Sequence, residues 1–274
     1  MYSITEIPDS SEFVWLGQNG TTSQTRYRRA AQAPSRVRKA WSDFVSWVLL
    51  GVGIVATAVF LFLRVKYGGI AALYAKAVAS LCFIATAVAA TNENHAFLKF
   101  GSLMTFGLIC GLLGDVWLDL KWIYLQDKDS YLYSGFIFFL LGHVCFVTAV
   151  LTTSDFTTKT ILISAGAAFV IALIALGMEK PLKMHYGKFK WIVFLYSFML
   201  AWTMTSAMVT AYTSGFQKMW VVMSIGGILF FLSDLVLSGM YFGEGKNTKG
   251  NIILNHTLYY AAQFTMAATI LCAQ

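Results

Sequence analysis

The stretch "FLKFGSLMTFGLICGLLGDVWL", Phe97–Leu118, is long and apolar enough for one α-helix to cross a bilayer, which takes about 20 such residues. It nevertheless carries a carboxylate, Asp115, about three quarters of the way along. An aspartate at the centre of a membrane helix costs about 2.5–3.5 kcal/mol to insert, and less nearer an end. Such a residue calls for a partner inside the protein or for a function.

Seven further apolar runs of similar length accompany this one. The chain has 274 residues, of which 58% are hydrophobic and 12% are charged, whereas soluble domains are about one quarter charged. The sequence therefore predicts an all-α membrane bundle of eight transmembrane helices, residues 44–274, behind a polar, basic N-terminal tail, residues 1–43. The predicted spans are Phe44–Leu63, Ile70–Ala90, Phe97–Leu118, Tyr133–Thr153, Ile161–Gly177, Trp191–Tyr212, Met219–Met240 and Ile252–Leu271.

A second acid sits in matching surroundings, Asp234 in "FFLSDLVLSGM". When "ICGLLGDVWL" (Ile109–Leu118) is aligned with "ILFFLSDLVL" (Ile228–Leu237), one Ile, two Leu and the Asp coincide, and a small residue precedes each acid. The third helix thus corresponds to the seventh, which predicts a parallel repeat of four plus four helices. Helices three and seven then run in the same direction, so both carboxylates are expected at nearly the same depth.

The net charge of +7 comes largely from "RYRRAAQAPSRVRK", Arg26–Lys39. Basic residues beside the first span favour a cytosolic tail, and an even number of spans returns the C-terminus to the cytosol. The loop "MEKPLKMHYGKFK", Met178–Lys190, is also basic and falls on the opposite side. No aromatic platform accompanies the basic run, so we expect no nucleic-acid partner.

Other polar residues lie within the predicted spans. Lys76 is on the same side as the acids and either pairs with one of them or snorkels to the interface. His143, near the middle of helix four, is a packing residue or a catalytic one. Tyr259 and Gln263 share a face of helix eight and are candidates for interhelical hydrogen bonds. Asp119, one turn beyond the first acid, is expected at the interface rather than in catalysis. The glycine pairs at 68–69 and 226–227 are typical of turns or close helix packing.

Two alternatives to an acid–base enzyme stay open at this point. A zinc centre could draw on Asp115, Asp234, His143 and His256, although no HExxH or HxxxH pair is present. A proton-coupled lipid transporter or flippase would also use buried acids at repeat-related positions. Against a transporter, the predicted repeat is parallel and no span is evidently broken.

Five segments together resemble the lysoplasmalogenase family, also called the YhhN-like transmembrane family. The resemblance extends over about residues 44–272, and the order of the two Asp motifs around the Gly-His motif is that of the family. The segments are "YAKAVASLCF" with Lys76, "GLLGDVWL" with Asp115, "GFIFFLLGHVCF" with His143, "GGILFFLSDLVLSGMYF" with Asp234, and "LYYAAQFTMAATIL" with Tyr259 and Gln263.

This resemblance implies an intramembrane ether hydrolase without a cofactor. Its substrate would be a lysoplasmalogen, an alkenyl-glycerophospholipid with a choline or ethanolamine head group, cleaved to a fatty aldehyde and a glycerophospho-alcohol. The expected partners are this lysophospholipid and the lipid bilayer. The family's lipid chemistry favours the endoplasmic reticulum membrane.

Cleavage of a vinyl ether requires a proton donor that is neutral near pH 7 and a negative group that faces the resulting oxocarbenium ion. We expect Asp115 and Asp234 to take these two roles, with one proton held between them, much as paired carboxyls act in inverting glycosidases. His143, Tyr259 and Gln263 would support the pair or orient water. Lys76 would attract the substrate's phosphate or balance charge.

Overall fold

The computed structural model describes residues 22–273, except for the side chains of residues 22–43 and 93. This part of the chain is helical and contains no strand, which confirms the all-α prediction. The α-helices are α1 (Thr22–Lys66), α2 (Gly69–Glu93), α3 (Leu98–Leu120), α4 (Lys128–Thr153), α5 (Thr158–Gly177), α6 (Lys190–Thr213), α7 (Lys218–Phe242) and α8 (Lys249–Leu271). Three single turns of 3₁₀ helix, His95–Phe97, Leu125–Asp127 and Gly187–Phe189, precede α3, α4 and α6.

The chain divides into two compact units, Met1–Trp41 and Ser42–Gln274, and the second unit is the helix bundle described below. Residues 1–21 of the predicted tail lie outside the described residues. From Thr22 onward the backbone of the tail is already helical, as the first part of α1.

Seven of the eight α-helices are long and apolar enough to cross a membrane, which makes this an integral membrane protein. They are the C-terminal part of α1 from Phe44, and α2 to α7. The eighth predicted span, α8, has 23 residues but is less apolar. Several of its polar side chains, among them Asn255, His256 and Gln263, are buried, because α8 packs against α7, α2 and α3 inside the bundle. A membrane-crossing α8 stays a prediction.

Glycines allow the helices to approach closely, as is common in membrane bundles. A Cβ on Gly142 of α4 would lie 3.0 Å from the carbonyl oxygen of Gly107 on α3, and one on Gly227 of α7 would lie 2.9 Å from the Cα of Met204 on α6. Gly68 and Gly69 allow the chain to turn between α1 and α2, because both adopt positive φ angles that glycine tolerates. Both predicted uses of glycine are therefore present.

Several helix contacts repeat with a shift of four, although α5 packs extensively on α6 and the described part of α1 has no comparable contact with α2. Helix α3 packs on α4 as α7 packs on α8, and α2 packs on α3 as α6 packs on α7. The contact of α2 with α8 likewise corresponds to the contact of α6 with α4. These shared contacts are compatible with the parallel four-plus-four repeat, which stays a prediction.

Candidate active site

Four charged side chains form an ionic cluster inside the bundle. The Nζ atom of Lys76, on α2, lies 3.1 Å from Oδ1 of Asp115 and 3.4 Å from Oδ1 of Asp119, both on α3. Arg64, near the end of α1, contacts the same Oδ1 of Asp119 at 3.1 Å. Both aspartates are 2% exposed. Two cations and two anions thus compensate one another, as buried charges require.

Two sequence expectations are resolved by this cluster. Lys76 pairs with the acids and does not snorkel to the interface. Asp119 was expected at the interface, but that expectation is wrong, because its side chain is buried between a lysine and an arginine. Arg64 follows a long apolar run and was overlooked as a partner; it reaches Asp119 because the ends of α1 and α3 lie on the same side of the bundle.

The second oxygen of Asp115 accepts two hydroxyl hydrogen bonds. Ser80 Oγ and the Tyr259 hydroxyl lie 2.9 Å and 2.8 Å from Oδ2. Gln263 Nε2 in turn donates to the Tyr259 oxygen at 2.8 Å, which confirms the polar face predicted for α8. The amide fits there because position 111 is glycine, whose added Cβ would lie only 2.6 Å from Gln263 Nε2. Both oxygens of Asp115 are therefore fully used as acceptors.

Asp234 has a very different environment, at the wall of a cavity of about 530 Å³. The Tyr196 hydroxyl, on α6, donates a hydrogen bond to its Oδ2. Within the described part of the chain, no lysine, arginine or histidine nitrogen lies within 4.0 Å of this carboxyl group. The cavity lies among α4, α5, α6, α7 and the loop before α6, and most of its walls are apolar. Tyr196 was not singled out from the sequence.

His143 lies near Tyr196 but is bonded to neither acid. Its Nδ1 is 3.1 Å from the hydroxyl oxygen of Thr203, and that hydroxyl donates to the Met199 carbonyl at 3.0 Å. Either Nδ1 donates to the Thr203 hydroxyl or that hydroxyl donates to Nδ1, depending on the tautomer. Nε2 is buried without a hydrogen-bond partner among the described residues. The ring packs 4.7 Å from that of Phe230 and 5.7 Å from that of Tyr196, between centroids.

The two acids are connected through aromatic rings and not through a direct bond. No hydrogen bond joins Asp115 to Asp234 in residues 44–273. Between them, Tyr259 packs on Phe230 at 5.5 Å, and Phe230 packs on His143. A proton shared by direct contact is thus not the arrangement present. Instead, each acid takes a partner from the preceding helix.

A zinc site finds little support in the arrangement of donors. The described residues contain no group of three His, Cys, Asp or Glu side chains that could hold a metal ion. His256 is turned toward its own helix, where Nδ1 lies 2.8 Å from the Ile252 carbonyl oxygen, and its ring packs on Phe60.

Comparison with known families matches residues 71–270 to the model of the YhhN family. The chain belongs to the YhhN family. This family includes lysoplasmalogenases, and membership fits a membrane hydrolase. The matched region contains Lys76, Asp115, His143, Asp234 and Gln263 as well as the intervening cavity. Searches of curated proteins and of solved structures return no match.

Proposed function

We propose that this YhhN-family protein is an intramembrane hydrolase that cleaves the vinyl ether bond of lysoplasmalogens. The observation that carries the proposal is Asp234, a carboxyl group that opens onto an apolar cavity with only a tyrosine hydroxyl beside it among the described residues. A second carboxylate, Asp115, lies nearby in an ionised cluster. One carboxyl is thus suited to give a proton, and the other to remain charged.

The cavity suits the alkenyl chain of the substrate. Its volume of about 530 Å³ lies within the range of about 300–1,000 Å³ found for small-molecule pockets. Its walls are mainly Ile, Leu, Val, Met and Phe side chains, with Ser197, Ser238 and the Tyr196–Asp234 pair as the polar exceptions. A lipid chain bound here would place a bond near its polar end within reach of Asp234.

Asp234 is assigned the role of proton donor. An apolar site without a cation favours the neutral form of a carboxyl group, and only a neutral acid can protonate an alkene carbon. Its proton goes to the outer carbon of the vinyl ether, and the electron pair of the double bond forms the new C–H bond. The product is an oxocarbenium ion, positive at the inner carbon and the ether oxygen, with Asp234 left as a carboxylate.

Water completes the reaction. It adds to the inner carbon and gives one proton back to the Asp234 carboxylate, which forms a hemiacetal. The hemiacetal then breaks its bond to the glycerol oxygen. Its hydroxyl group loses a proton and becomes the aldehyde carbonyl, and the departing glycerol oxygen gains a proton and becomes the alcohol. The net reaction consumes one water molecule. The carboxylate formed at Asp234 stabilises the oxocarbenium ion, and we assign Asp115, whose charge Lys76 balances, the role of a supporting acceptor that orders Tyr259. His143 Nε2 and Gln263 Oε1, both buried without a hydrogen-bond partner among the described residues, are suited to orient water.

Aldehyde release by purified protein in detergent tests this proposal. We expect Asp234→Asn and Asp115→Asn each to remove nearly all release of aldehyde from an alkenyl-lysophospholipid. Asp155→Asn, in the exposed α4–α5 connection, is the matched control and should retain full activity. Full turnover in either of the first two variants would refute the assignment. A transporter would need a sealed bilayer to give any signal, so catalysis in micelles also separates these two classes.

We also propose the endoplasmic reticulum membrane as the location, with both termini in the cytosol. The basic tail supports a cytosolic N-terminus, and a crossing α8 would return the C-terminus to the same side. Epitope tags at each end should both be accessible to antibody after selective permeabilisation of the plasma membrane. Access to only one tag would mean that α8 does not cross.

A further inference from the structure

A second cavity, of about 490 Å³, adjoins the first at the same end of the bundle. It is formed by the end of α3, the start of α4, the loop before α6 and the end of α7. Tyr186, Tyr241 and Phe242 line both cavities. The loop is fixed to α7, since the amide of His185 donates to the Phe242 carbonyl at 2.8 Å. The two cavities therefore have a common wall of three aromatic residues.

The second cavity is basic where the first is apolar. Its ionisable lining consists of Lys121, Lys128, Lys188, His185 and Asp129. Lys188 and Asp129 form an exposed ion pair at 2.6 Å. Across residues 44–273, no carboxylate lies within 4.0 Å of the other two lysines or of the histidine. The cavity thus carries more positive charge than its own acid compensates.

Lys121 is the unusual member of this set, because it is only 8% exposed. Its Nζ lies 2.9 Å from the centre of the Tyr241 ring and 4.8 Å from that of Trp122. Ring faces attract cations but do not neutralise them. A charge on this buried side chain is costly without an anion, so an anionic ligand would favour the protonated form of Lys121.

The charged groups around Lys121 also affect its pKa. Burial lowers the pKa of Lys121 to about 6, and nearby cations act in the same direction while Asp119 opposes them. An anion bound at Nζ would reverse the effect of burial. The charged and titratable groups that face Lys121 are Asp119 from its own helix, Arg64 from α1, Lys76 from α2, Lys128 from α4 and Tyr241 from α7.

We propose that the basic cavity binds the phosphate group of the lysophospholipid, with Lys121 as the main contact and Lys128 as a second. This inference rests on the proposed function and identifies its head-group site. Lys76, the earlier candidate for phosphate binding, is already paired with two aspartates. A lysine ammonium binds phosphate as a compact point charge.

The relative position of the cavities matches the shape of the substrate. A lysophospholipid has a chain and a phosphate separated by a three-carbon glycerol. Asp234 and Tyr241 lie on the same face of α7, about 10 Å apart along its axis at 1.5 Å per residue. With the phosphate beyond Tyr241 and the chain in the apolar cavity, the vinyl ether lies on the Asp234 side of the common wall.

Binding of a lysophospholipid that cannot react tests this assignment independently of catalysis. The probe is radiolabelled 1-acyl-lysophosphatidylcholine at fixed detergent concentration, compared with monoacylglycerol of the same chain, which lacks the phosphate. Lys121→Met should weaken binding of the lysophospholipid at least tenfold and that of monoacylglycerol less than twofold. Lys121→Arg should restore most of the binding, and Lys128→Met should cause a smaller loss. Lys190→Met, in an exposed pair with Glu179 outside the cavity, is the control.

Three results would overturn the assignment. The first is unchanged binding of the lysophospholipid to Lys121→Met, and the second is an equal loss of binding for the lysophospholipid and the monoacylglycerol. The third is displacement of the lipid by inorganic phosphate at the concentrations at which the lipid itself competes. The last result would identify a site for free phosphate. Aldehyde release is measured on the same samples. Lysine-dependent binding without any aldehyde release would refute the hydrolase and retain the phosphate site.

Discussion

Replacement of Lys76 by methionine tests the central electrostatic feature of the bundle. Methionine preserves much of the length of the side chain but removes the cation that lies 3.1 Å from Asp115. Asp119 keeps Arg64 as a partner, whereas Asp115 retains only the two hydroxyl donors, Ser80 and Tyr259. Loss of one partner from a buried pair costs about 3–5 kcal/mol. We expect the free energy of unfolding of Lys76→Met to fall by about that amount.

The double variant Lys76→Met/Asp115→Asn should recover most of this loss, because neither member of the pair then carries a charge. The assay is unfolding of the purified protein in mixed micelles of dodecyl maltoside and increasing sodium dodecyl sulphate, followed by circular dichroism. Lys190→Met serves as control, since an exposed ion pair contributes about 0–1 kcal/mol. A loss below 1 kcal/mol in Lys76→Met, or a double variant no more stable than the single one, would refute a structural ion pair.

Four further outcomes are expected. Tyr196→Phe removes the hydroxyl donor of the cavity acid and should lower kcat about tenfold, measured as aldehyde release, with stability changed by about 1 kcal/mol. Gly111→Ala places a Cβ 2.6 Å from Gln263 Nε2 and should lower kcat severalfold, whereas Gly166→Ala, with open space around it, should not. Because burial lowers the pKa of Lys121 to about 6, the unfolded chain binds more protons above that pH. Stability relative to Lys121→Met should then rise by about 1 kcal/mol per pH unit from pH 7 to 9, in unfolding titrations. Metal chelators should leave aldehyde release unchanged, and loss that zinc reverses would favour the metal alternative.

The sequence predicts the helices and the buried acids well, because both follow from local composition. Apolar runs of about 20 residues fix α2 to α7, and an acid within such a run needs a partner, which Lys76 supplies for Asp115. The partners Arg64 and Tyr196 escape this reasoning. An arginine at the end of a span is ordinary interface chemistry, and a single tyrosine in an apolar helix is ordinary packing. Only the rotation of each helix in the bundle determines whether such a side chain faces an acid.

The predicted repeat offers a physical reason for two acids in different surroundings. The partner of Asp115 comes from α2, and the partner of Asp234 comes from α6, the helix that corresponds to α2 in the second half. The first half supplies an ammonium group there and the second half a phenol. A cation at that position favours the ionised form of its acid more strongly than a hydroxyl group does, so the acid beside the phenol is better suited to carry a proton. Tyr196→Lys would make the halves alike by pairing Asp234 with a cation. We expect this variant to insert and fold but to release almost no aldehyde, and activity comparable to the unmodified protein would show that Asp234 need not be neutral.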